Sequence, residues 1–164
     1  MPRAILTILV LNLFNLHLFG QIDDDAIRQK VLEMNLPDSA FVFGEWSEAG
    51  GTETHLKYLG TIESNKETYK IMTSSWIWGL SGRATNRILV FTSNNDYIGN
   101  YYIGMMYELP DKIEENKLVF LNLESERCDE NAITEISFID GIPEKFFIEC
   151  KNGYGTLYSF EKEN

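Results

Sequence analysis

Two tryptophans and two arginines form the most chemically suggestive group in this chain of 164 residues. Trp76 and Trp78 are followed by Gly79-Leu80-Ser81-Gly82, a turn sequence, and then by Arg83 and Arg87. A chain that reverses at the glycines brings indoles and guanidinium groups together. Such a set can hold an anionic or carbohydrate ligand, with an arginine fork on the acidic group and an indole face as the stacking surface. The arginines are conspicuous because the formal charge is −11, or −12 once Arg3 leaves with the leader described below. A balance this acidic disfavours nucleic acid and anionic lipid as partners.

Catalytic and cofactor chemistry finds less support. Beyond the leader only one histidine remains, His55, so it would have to serve any Ser-His-acid arrangement. A zinc site built on several histidines has no residues to draw on. There is no Gly-x-Ser-x-Gly elbow, Cys-x-x-Cys pair, phosphate loop or Gly-x-Gly-x-x-Gly fingerprint. Carboxylates such as Glu45, Glu48, Glu53, Glu63, Asp96 and Glu108 are abundant, and a pair of them across a cleft is the requirement for glycoside hydrolysis. Solvation explains acidic residues in such numbers. No metal ligand set, cofactor or catalytic residue is assigned from the sequence, and a secreted hydrolase ranks third among the readings.

The first twenty residues read as an address. Arg3 precedes a run from Ala4 to Phe19 interrupted by Thr7, Asn12, Asn15 and His17, which is shorter and more broken than a spanning helix requires. The pattern is that of an export signal with cleavage near Gly20-Gln21. Residues 21–164 then form one domain by length. No later stretch is long and apolar enough for a transmembrane segment. Export makes the protein secreted or periplasmic. In an oxidising compartment the only two cysteines, Cys128 and Cys150, are expected to pair.

The elements that must position the Trp and Arg group are mostly strands. Asp23-Asp24-Asp25 supplies an acidic first turn for a helix over Ala26–Met34, with Ile27, Val31 and Met34 on its apolar side and Arg28, Lys30 and Glu33 elsewhere. Leu36 and Pro37 end it. From residue 40 onward, β-branched and aromatic runs alternate with turn clusters. Nine strands are expected: Ala40–Trp46, Thr54–Glu63, Glu67–Trp78, Arg87–Ser93, Tyr97–Met106, Lys117–Leu123, Ala132–Ile139, Lys145–Lys151 and Tyr154–Phe160. Between them, Pro110–Lys117 reads as a polar connection with a helical turn, and Glu124–Asn131 as an acidic loop.

Short links favour a largely antiparallel, up-and-down meander. Tyr69 to Trp78 carries apolar and polar residues on both faces, the pattern of a sheet covered on both sides or curved around its own interior. Tyr-[Leu/Ile]-Gly occurs at Tyr58, Tyr97 and Tyr102, where glycine in a strand marks a bend or bulge. Gly44-Glu45-Trp46 resembles the Gly-x-Trp of the first strand in lipocalin-type barrels. That resemblance, confined to three residues, implies a curved meander that encloses a ligand.

The expected architecture is therefore mainly β, a curved sheet or partly closed barrel with one short N-terminal helix, and a two-sheet sandwich as the second choice. The expected function is binding of a small apolar, glycan or anionic ligand in an aromatic-lined cavity or groove by Trp76, Trp78, Arg83 and Arg87. The alternative is a cell-envelope protein-protein interaction module without a pocket. A concave site holding either tryptophan supports the first; an open apolar surface supports the second.

Overall fold

The computed structural model describes residues 25–121 and 132–163. The leader and the whole acidic loop Glu124–Asn131, Cys128 included, lie outside these residues. In chain order the elements are α1 (Asp25–Met34), β1 (Ser39–Ser47), β2 (Gly50–Glu63), β3 (Thr68–Trp78), β4 (Arg83–Thr92), β5 (Tyr97–Ile103), a 3-10 turn (Met106–Glu108), β6 (Lys112–Glu114), β7 (Lys117–Leu121), β8 (Ile133–Ser137), β9 (Lys145–Lys151) and β10 (Tyr154–Lys162). All nine expected strands form. The tenth is β6, where the sequence suggests a helical turn. Glu115 and Asn116, at φ 48° and 63°, make the two-residue reversal that pairs β6 with β7. The backbone twist of such a turn suits a hairpin.

Every strand pairing is antiparallel. Seven strands form an open sheet in the order β1-β2-β3-β4-β5-β10-β9, and three form a second sheet, β6-β7-β8. Within each sheet, paired strands are sequence neighbours except where β10 returns to lie against β5, the chain having left the main sheet after β5 to build β6-β7-β8. The main sheet does not close into a barrel.

Both faces of that sheet are covered, which explains the mixed character of its strands. Val31 and Leu32 of α1 pack with Leu56, Tyr58, Met72, Leu89 and Phe91 on one face. Ile71, Ile88, Val90 and Tyr101 point the other way and pack with Leu118, Phe120 and Phe138 from the β6-β7-β8 side. Successive residues such as Ile71 and Met72, or Leu89 and Val90, thus enter different cores, as strand geometry requires. Arg28 departs from its expected place on the polar side of α1: it is only 6% exposed. Its guanidinium lies 5.6 Å from the centre of the Tyr97 ring and pairs with Asp25 at 3.2 Å. Its charge is therefore buried in company.

Two Tyr-x-Gly segments mark breaks in register. β2 shifts against β3 between Tyr58 and Gly60, and β4 shifts against β5 between Val90 and Phe91, opposite the Tyr97-Ile98-Gly99 segment. Gly99 has no room for a side chain, because a Cβ there would collide with the Glu161 carbonyl oxygen and stand 2.7 Å from the Phe160 ring.

Candidate functional site

The β3-β4 hairpin brings the four expected residues onto one face. Directly opposed residues in antiparallel strands share a face, and Trp78 opposes Arg83, Trp76 opposes Thr85, and Ser74 opposes Arg87. On β5, Tyr102 opposes Arg87. On the other flank, Thr54 of β2 opposes Trp76, and Phe43 of β1 opposes Thr54. This is the face that α1 covers further along, at Met72 and Leu89. The tryptophans belong to neither core cluster and stay partly exposed.

Aromatic rings hold the arginines in place. Trp76 and Trp78 stack with centroids 5.7 Å apart and planes 25° from parallel. Arg83 lies over Trp78 at 5.8 Å, and Arg87 over Tyr102 at 5.0 Å. Both distances fall within the range where a ring quadrupole attracts a cation. Trp78 also donates from Nε1 to Thr85 Oγ1 at 3.1 Å, which fixes the ring that supports Arg83. Tyr102 is 45% exposed, so the Arg87 platform faces outward.

The turn that reverses β3 into β4 is set from a distance. Trp46 of β1 donates from Nε1 to the Gly79 carbonyl at 2.7 Å. Its ring lies where a side chain on residue 82 would go, since a Cβ on Gly82 would stand 2.9 Å from Trp46 Cζ2. Gly82 also sits at φ +60°, a backbone region that disfavours side chains. Arg83 is the next residue. Trp46, which the sequence places in a Gly-x-Trp motif, thus acts as a brace for the site.

The arrangement lies on a partly exposed face of the open sheet. A concavity of about 530 Å³ lies at the opposite end of β3, between the β2-β3 turn and Thr92-Ser93. Two of its hydroxyls, those of Ser64 and Thr92, are already committed. Ser64 Oγ donates to the Glu67 carbonyl and accepts from the Lys66 and Glu67 amides. Thr92 Oγ1 donates to Asp96 and accepts from the Asn94 and Asp96 amides. Groups spent on turns have little left for a ligand. Trp76 and Trp78 are not among the residues that line this concavity.

His55 faces away from this surface, opposite Ser75. Its Nε2 meets Glu53 Oε1 at 2.5 Å. This hydrogen bond, followed by one from the Trp46 amide, holds the Glu53 carboxyl below its ordinary value of 4.5, because both favour the charged form. Among the described residues no hydrogen bond joins His55 to a serine, and no group of three His, Cys, Asp or Glu side chains stands ready for a metal ion. Cys150 lies at the end of β9, partly buried.

No family model, no curated protein and no solved structure matches the chain at a significant level.

Proposed function

We propose that the protein is an exported binding module that takes an acidic segment of a partner protein on the open end of its main sheet. The observation that carries this reading is the pair Arg83 and Arg87, each laid on an aromatic ring on one side of one strand. Four residues of extended chain separate them by about 13 Å. That is also the interval between side chains four apart in an extended acidic peptide, so two carboxylates can meet two forks. Guanidinium forks already oriented by stacking lose less freedom when they bind.

Three further points support a protein partner over a small molecule. The face is partly exposed, and the concavity at the far end of β3 has the Ser64 and Thr92 hydroxyls spent on its turns. With Trp76 stacked against the Trp78 ring and a guanidinium over it, little of the Trp78 indole face remains for a sugar to stack on. Charge complementarity is local: an acidic chain directs two of its cations to one patch. The leader pattern and the expected Cys128-Cys150 pairing favour a module that works outside the cytoplasm, as a secreted or periplasmic component.

The test is a polarisation titration of fluorescein-labelled hexaglutamate, with a heparin hexasaccharide as the alternative polyanion. The wild-type protein is expected to bind hexaglutamate saturably, and R83A/R87A at least about tenfold more weakly, equivalent to about 1.4 kcal/mol. Equal binding by the two proteins, or preference for the sulfated sugar, would refute the reading.

A further inference from the structure

The three indole N–H groups of this protein are not equivalent. Those of Trp46 and Trp78 have acceptors, the Gly79 carbonyl and the Thr85 hydroxyl. The N–H of Trp76 is buried and meets no acceptor among the described residues, although the residue as a whole is partly exposed. Buried indole N–H groups ordinarily find a partner, and an exception calls for an explanation. The hydroxyl directly opposite, on Thr85, is already taken by Trp78.

A second unmet group on the same face is also a donor. Asn100 opposes Leu89, which packs beneath α1, and it is 7% exposed. Its Oδ1 accepts the Tyr97 hydroxyl at 2.6 Å, while its Nδ2 is buried without an acceptor. The unmet donors Trp76 Nε1 and Asn100 Nδ2, beside the Arg83 guanidinium over the Trp78 ring, give this side of the sheet a call for oxygen acceptors.

We infer that a carboxylate of the acidic partner takes the N–H of Trp76, with the Arg87 guanidinium on its other oxygen. The inference rests on the binding reading above and names the contact that selects an acceptor-bearing acid over simple negative charge. Arg87 is the diagonal neighbour of Trp76 across β3 and β4, about 7–8 Å away at the backbone, a gap that one carboxylate and two long side chains fill. The indole reaches the ligand by turning about its Cβ–Cγ bond, a broad two-fold torsion. The contact requires that turn to carry Nε1 from its buried position to the surface. Arg83, further out on the face, steers the second acidic group.

The experiment follows the three indole resonances in proton-nitrogen correlation spectra during titration with hexaglutamate, each assigned from its Trp→Phe variant. The Trp76 indole proton is expected to move downfield and to exchange more slowly with water, while that of Trp46 stays in place. W76F, which removes the donor and also trims the ring stacked on Trp78, is expected to bind hexaglutamate about tenfold more weakly, while an unmoved Trp78 indole resonance in the free variant shows that the rest of the face is unchanged. If W76F binds like wild type while R83A/R87A has lost binding, the Trp76 contact is wrong and the broader reading stands. If the wild-type protein does not bind hexaglutamate, both fall. A Trp76 shift produced by heparin hexasaccharide alone overturns the peptide as occupant.

Discussion

The indole N–H of Trp46 reaches 2.7 Å to the carbonyl of Gly79, and this single bond couples an edge strand to the turn that presents Arg83. The ring that makes the bond also fills the space a side chain on Gly82 would need. Gly82→Ala should therefore cost stability twice over, through positive φ and through a clash with the ring. A loss of about 1–3 kcal/mol in urea unfolding is expected, together with weaker hexaglutamate binding as Arg83 is displaced. Unchanged stability and binding would show that the brace is dispensable.

Binding through paired guanidinium groups must weaken with salt. Between about 50 and 300 mM salt the affinity for hexaglutamate should fall steeply, because the screening length for exposed charges shrinks from about 14 Å to about 6 Å across this range. In R83A/R87A the residual binding should lose most of this dependence. Affinity in the wild-type protein that ignores ionic strength would assign recognition to apolar contact instead.

The Glu53-His55 pair sets a pH-dependent contribution to stability. A carboxyl held below its ordinary 4.5 in the folded state stabilises the fold above that value, and the contribution is lost as pH falls through the lower, folded value. The melting temperature of wild type should exceed that of H55A at pH 7, and the gap should narrow below pH 4.5. A gap that persists undiminished in strong acid would assign the effect to packing.

Tyr101 anchors the larger core. Its ring packs on Phe146 and Phe160, and its hydroxyl donates to the Pro143 carbonyl at 2.5 Å, with burial pushing its ionisation well up. Tyr101→Phe leaves that carbonyl without its donor and should cost about 1–2 kcal/mol in chemical denaturation. A change within a few tenths would mean that water takes the place of the hydroxyl.

Export and oxidation can be checked together. Protein recovered from its own source is expected to start at Gln21 and to resist alkylation until reduced, with intact mass two hydrogens below the reduced form. Reduction should cost about 3 kcal/mol by the loop-entropy argument. A free thiol at Cys150 in the secreted protein would contradict the pairing.

The β class, the helix and the hairpins were legible in the sequence because they rest on local signals: turn residues, β-branched runs and an acidic helix start. The site was half legible. Gly79 to Gly82 announces a reversal, and a reversal alone sets Trp78 opposite Arg83. Tyr102 was not legible from counting. Extending the register that starts at Phe91 and Tyr97 would set Arg87 opposite Tyr101; the extra residue of the bulge sets it opposite Tyr102 and leaves Tyr101 for the core. The Tyr-Ile-Gly signature flagged that a bulge was coming, but not what it would exchange. Openness of the sheet, burial of Arg28 and the return of β10 to β5 depend on contacts between distant segments, for which no local pattern exists.

Photo-crosslinking tests the central claim most directly. Hexaglutamate carrying a diazirine, irradiated with the wild-type protein and mapped by mass spectrometry, is expected to label β3, β4 and Tyr102, and labelling should compete away with unmodified hexaglutamate. Competable labels confined to the β6-β7-β8 sheet or the β2-β3 turn, or no competable label at all, would contradict the account.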